Sequence, residues 1–81
     1  MFVAFQKTAG GRPYRRYFKS WENAKKAMDK DIQDCATVGV TVSRRWDYFN
    51  ASKGFYVYEA EGKTRDGAAV SWALLELYFE D

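Results

Sequence analysis

The stretch AAVSWALLELYFED, Ala68 to Asp81, decides the fold. At helical spacing Val70, Ala73, Leu74, Leu77 and Tyr78 make one apolar stripe. Read as a strand, the run is studded with Val, Trp, Tyr and Phe, as strands prefer. Asp66-Gly67, just before it, is a strong hairpin signal. A helix starting directly after a tight hairpin turn has no strand for the turn to join. The strand is therefore the first reading and the helix the alternative.

Working outward, FYVYEAE (Phe55 to Glu61) is aromatic and β-branched and supplies the strand on the other side of that turn. NASKG (Asn50 to Gly54) reads as a turn, although Asn50-Ala51-Ser52 also matches a glycosylation sequon. Before it, VTVSRRWDYF (Val40 to Phe49) alternates. Val40, Val42, Arg44, Trp46 and Tyr48 are expected on one face, and Thr41, Ser43, Arg45, Asp47 and Phe49 on the other. Gly39 marks the end of a helix that begins after Ser20, a good N-cap, with Glu22 in its first turn where the helix dipole favours an acid. Trp21, Ala24, Met28, Ile32 and Cys35 form its apolar stripe. Asp29, Asp31 and Asp34 are expected on its solvated side.

FVAFQK (Phe2 to Lys7) and YRRYFK (Tyr14 to Lys19) read as two strands around the turn-rich AGGRP. The order is β-β-α-β-β-β. This predicts a two-layer α+β domain over residues 1–81, an antiparallel sheet of about five strands with one helix on one face. The junction Phe18, Ser20, Ala24 resembles the F-x-S/T-x-x-x-A helix start in the N-terminal arm-binding domain of tyrosine recombinases. That domain has three strands before its helix where two are read here, and no function is carried over from the resemblance.

At 81 residues there is room for one modest core. Fifteen aromatic residues, 19% of the chain, exceed what one helix can cover. Some must therefore face outward as a contact surface. One of each pair Tyr14 or Tyr17, Trp46 or Phe49, Phe55 or Tyr56 is expected there. The surplus also suggests a homodimer through the open sheet face or an edge strand.

The chemistry is thin. There is no histidine, which removes the commonest general base and metal ligand. The one cysteine, Cys35, sits on the apolar stripe and is expected to be buried and inert. No Gly-rich phosphate loop is present, and no cofactor or metal is expected. The reading is a non-enzyme. No apolar run approaches the roughly 20 residues of a membrane helix and no signal peptide is readable, so the expected location is cytoplasmic.

Charge is uneven. Residues 1–26 carry seven Lys/Arg against Glu22 alone, whereas residues 54–81 carry Lys63 and Arg65 against six acids. RPYRRYFKSW (Arg12 to Trp21) concentrates the cations among rings. As a strand it puts Tyr14, Arg16 and Phe18 on one face and Arg15, Tyr17 and Lys19 on the other. Arg12 extends the basic stripe at one end, and Arg45 extends it if its strand lies nearby. With Trp46 these are the expected partner-binding residues. Arg and Tyr are favoured at the hot spots of protein interfaces. The expectation is a small protein that acts by protein–protein contact, as an inhibitor or accessory factor, on an acidic surface or one that normally binds nucleic acid. A phage-type inhibitor of a host nuclease is one form of this. The alternative is a nucleic-acid-binding module that uses the same hairpin. The acidic final third weighs against it.

Overall fold

The computed structural model describes residues 2–78. Its elements are β1 (Phe2–Ala9), β2 (Arg12–Phe18), α1 (Trp21–Thr37), β3 (Thr41–Asn50), β4 (Phe55–Lys63) and β5 (Ala69–Leu77). The deciding stretch is a strand, as read, while Phe79 to Asp81 lie outside the described residues. All pairings are antiparallel, and the sheet runs β2-β1-β5-β4-β3.

Local chemistry sets each boundary. Gly10 and Gly11 both have positive φ, 59° and 76°, in the two-residue loop that joins Ala9 to its partner Arg12. That is the glycine-tolerant turn whose twist suits a hairpin. The Ser20 side chain accepts the Asn23 N–H at 3.1 Å and caps α1. Asn50 holds the β3–β4 turn, its Oδ1 accepting from the Lys53 N–H at 3.2 Å and its carbonyl from the Gly54 N–H at 2.8 Å. The sequon position is thus a turn.

β5 is the central strand. Its Val70, Trp72 and Leu74 pack with Val3 and Phe5 of β1, Tyr58 and Ala60 of β4, and Ala24, Met28 and Ile32 of α1. Trp72, Phe5, Met28 and Val3 are the largest fully buried side chains. Burying each contributes about 1.5–3 kcal/mol relative to leaving it in water. Helix residues thus pack on odd positions of β1 and even positions of β4 and β5, so the alternate positions face away from the helix.

Two expectations need correction. β3 does not alternate simply, because its register with β4 shifts between Val42 and Arg44. Ser43 is the extra residue of the bulge, with its hydroxyl donating to the Glu61 carbonyl at 3.3 Å. Val42 therefore turns to the core, while Arg44, Trp46 and Tyr48 face the helix-free side. Nor is Cys35 sealed in the core. It packs against the core's edge, half-buried, and accepts a hydrogen bond from Lys7 Nζ at 3.2 Å.

The close approach of β3 to β4 gives a test. A Cβ at Gly62 would lie 2.5 Å from the Thr41 carbonyl oxygen, a backbone atom that can move only with its strand. Gly62→Ala is expected to cost about 1–3 kcal/mol by overpacking. Met28→Ala, which empties the core, is expected to cost about 2–5 kcal/mol. Urea denaturation midpoints measure both. A Gly62→Ala protein as stable as the parent would mean that the bulge relaxes freely.

Candidate functional site

β2 is an edge strand, and every residue from Arg12 to Tyr17 is exposed. Alternation divides its side chains. Arg12, Tyr14, Arg16 and Phe18 lie on the helix side, paired with Ala9, Lys7, Phe5 and Val3. Arg15 and Tyr17 lie on the helix-free side, paired with Gln6 and Ala4. Arg15 Nε donates to Gln6 Oε1 at 2.6 Å. The Arg16 guanidinium stands over the Phe18 ring at 5.2 Å, a cation–π contact that orients it along the strand. Tyr14 and Tyr17 are both 59% exposed, so both tyrosines of the expected pair face water. Lys19 follows the strand, in the bend before the helix.

Arg45 and Trp46 do not join this group. They lie on β3, at the opposite edge of the sheet, with three strands between. Arg45 points to the helix side and bonds Asp29 Oδ1 at 3.4 Å. Trp46 points to the other side, half-buried, with the Arg44 guanidinium 5.6 Å from its ring centre. The expected extension of the basic stripe through Arg45 is absent, because only β1 neighbours β2.

The helix-free face carries a second surface. The register places Tyr17, Ala4 and Leu75 in one row across β2, β1 and β5, and Val57 and Tyr48 side by side on β4 and β3. Phe2 and Leu77 pair beyond them, and Phe55 is the neighbouring outward residue of β4. Tyr48 is 47% and Phe55 44% exposed. Ala4 and Val57 are buried but do not belong to the core under the helix, so their neighbours on this face enclose them. One end of the face is thus an apolar band. The other end is polar: Arg15, Gln6, Ala73, Glu59 and Trp46 share a row, and Thr8, Ser71, Glu61 and Arg44 the next. Arg44 pairs with Glu61 at 3.7 Å.

β4 and β5 pair only from Glu59–Ala73 to Lys63–Ala69, although both strands continue past Glu59 and Ala73. Where they part, a cleft of about 310 Å³ opens between Phe55, Val57 and Leu75. Sequence reasoning found the aromatic surplus but not this band. Leu75 and Leu77 lie in the stretch whose strand or helix character was open, and only the sheet order aligns them with Tyr17.

On the helix side, Asp34 is exposed as expected, but Asp29 and Asp31 are engaged. Asp31 Oδ2 accepts from Trp72 Nε1 at 2.8 Å and meets Lys7 Nζ at 3.0 Å. Burial would raise the Asp31 pKa, but the bonds from Trp72 and Lys7 outweigh it and hold the carboxyl below its ordinary value. Burial would lower the Lys7 pKa, but Asp31 and Cys35 outweigh it and hold the ammonium above its ordinary value. Asp29 accepts from the Tyr58 hydroxyl, and Lys25 Nζ stands 4.9 Å from the Tyr58 ring centre. Burial and then the Asp29 bond push Tyr58 up to about 12. Among the described residues no group of three His, Cys, Asp or Glu is placed to hold a metal, and no helix is long and apolar enough to cross a membrane.

No protein family, curated protein or solved structure matches this chain. Two strands, not three, precede the helix, so the likeness to the recombinase arm-binding domain stops at the Phe18–Ala24 junction.

The ion cluster sets the pH behaviour. Asp31 with a lowered folded pKa stabilises at neutral pH, and that contribution is lost as pH falls below its ordinary 3.8. Tyr58 stabilises while neutral, and its contribution is lost as pH rises from 10 towards about 12. Urea midpoints should be flat between these limits and fall on both sides. Asp31→Asn, which keeps an acceptor for Trp72, should flatten the acid limb. Asp31→Leu should cost about 1–3 kcal/mol beyond that by stranding the buried indole N–H. An acid limb unchanged in Asp31→Asn would assign it to other carboxylates.

Proposed function

We propose that this chain is a small non-enzymatic binding protein that acts by protein–protein contact, with the edge strand β2 as its docking element for an acidic partner surface. One observation supports this above the rest: the strand in which aromatic and cationic residues are densest has a free edge and exposed side chains on both of its sides. A partner chain can add to such an edge through main-chain bonds, with alternate side chains reading its sequence. Arg and Tyr supply large contact area and bidentate pairing to carboxylates. An inhibitor or accessory factor works in this way, by covering another protein's site.

The nucleic-acid alternative needs cations along one continuous surface that tracks the phosphates. Here Arg12 and Arg16 face one side and Arg15 the other, and Glu59 and Glu61 share the face of Arg15. That division favours the protein reading. Self-association through the open face belongs to the same reading of the chain as a contact protein.

Capture of partners from a lysate, with and without nuclease treatment, tests this. A protein retained after nuclease and lost with Tyr14→Ala or Arg12→Ala is expected. Each variant should weaken binding by about 1–2 kcal/mol, roughly 5–30-fold. Capture that disappears with nuclease, together with fluorescence anisotropy showing nucleic-acid affinity well above the non-specific level of about 10⁻⁴–10⁻⁶ M, would select the alternative.

A further inference from the structure

We infer that the apolar band of the helix-free face is covered by a second copy of this chain, packed face to face about a two-fold axis that runs along the central strand β5. The inference rests on the contact reading above but concerns the other side of β2.

The pattern on the face selects the axis. A two-fold axis across the strands at mid-sheet would lay the apolar band of one copy on the Glu59–Glu61 end of the other, and one placed at the band would leave Arg15 and Glu59 far apart between the copies. An axis along β5 keeps band on band. It exchanges β2 with β3 and β1 with β4, because β5 is central in the order β2-β1-β5-β4-β3. Leu75 then meets the partner's Leu75 on the axis, and Tyr17 meets the partner's Tyr48. Ala4, the small residue of its row, meets the partner's Val57. Two packed sheets keep their strands within about 30° of each other with interleaved side chains, which this alternation of small and large residues permits.

Charge complementarity supports the same axis. The polar end of the face carries two arginines, Arg15 and Arg44, and two glutamates, Glu59 and Glu61. Arg44 and Glu61 already pair within the chain. Glu59 is exposed and makes no ion pair among the described residues. The exchange brings Arg15 above the partner's Trp46, which stands beside the partner's Glu59 in the same row. An uncommitted anion on one copy thus meets a cation on the other, twice per dimer.

Size allows it. The body measures 44 × 25 × 22 Å with 5857 Å² of surface. One whole side can supply the about 800 Å² per partner of a standard interface. Edge-to-edge pairing is the competing way to assemble, and it is disfavoured. Both edge strands are cationic, with Arg12, Arg15 and Arg16 on β2 and Arg44 and Arg45 on β3, and β3 is bulged.

A charge-swap experiment tests the arrangement. Light scattering at micromolar concentration should give the parent protein twice its 9.4 kDa mass. Arg15→Glu places two glutamates at each contact, and Glu59→Arg places two arginines. Each variant alone should dissociate at least tenfold more readily than the parent. Mixed in equal amounts they should recover the dimer, since each contact then pairs opposite charges. Leu75→Asp should be monomeric, with a urea midpoint confirming that it folds. A parent protein that stays monomeric at high concentration overturns the inference. So does a dimer that survives Leu75→Asp and both charge variants, because another surface then holds it. A monomer that still captures a protein through Tyr14 overturns the dimer alone and leaves the proposed function standing.

Discussion

The architecture depends on where one indole finds its hydrogen bond. Trp72 lies on the central strand with 1% of its surface exposed, and its ring fills the space between sheet and helix. An indole N–H in such a place must be satisfied, or its desolvation opposes folding. Asp31, one residue before the buried Ile32, is the acceptor. That bond fixes the rotation of α1 about its axis and its position above β5. Lys7 on β1 closes the same cluster from the neighbouring strand. The helix is thereby committed to one face of the sheet, and the uncovered face follows as a consequence.

Coverage then decides where the aromatic residues go. A helix is about 10 Å across, while five strands at about 4.8 Å spacing are wider than that. Even on the helix side, Tyr14 and Phe49 on the outermost strands remain exposed. On the far side no element among the described residues covers the sheet. The chain nevertheless does not distribute its residues there at random, since apolar side chains occupy one end of the face and Arg15, Glu59, Glu61 and Arg44 the other. A face that only had to stay in water would gain nothing from gathering its apolar residues, whereas gathering them is what a contact requires.

Local chemistry made most of the elements legible. The Asp66-Gly67 turn separated strand from helix in the last stretch, Ser20 marked the helix start, and Gly10-Gly11 the first hairpin. What could not be read was relational. Strand order is a long-range property, so nothing local shows β5 passing between β1 and β4 and carrying Arg45 and Trp46 to the edge opposite Arg15. The bulge at Ser43 inserts one residue and reverses the side on which Val42 points, which strict alternation cannot anticipate. Asp31 was misplaced for a related reason. Helical periodicity ranks residues by hydrophobicity, and a carboxylate that serves a buried indole looks the same in sequence as one in water.

The two edges of the sheet face the same hazard in different ways, and this bears on how the surfaces divide their work. A free strand edge invites pairing with any exposed strand. β3 resists through its bulge and Arg44–Arg45. β2 has no bulge and keeps a regular seven-residue register with β1, guarded only by Pro13 and its arginines. Cations repel a second copy of β2 or the arginine-bearing β3, yet they attract an acidic strand. The same charges that prevent self-pairing at this edge thus leave it open to a foreign chain of opposite charge. The uncharged apolar band has no such filter, and in the inferred dimer it selects instead by shape and by the placement of Arg15 and Glu59. On the two proposals, edge and face are tuned to different partners, one chosen by charge and the other by symmetry.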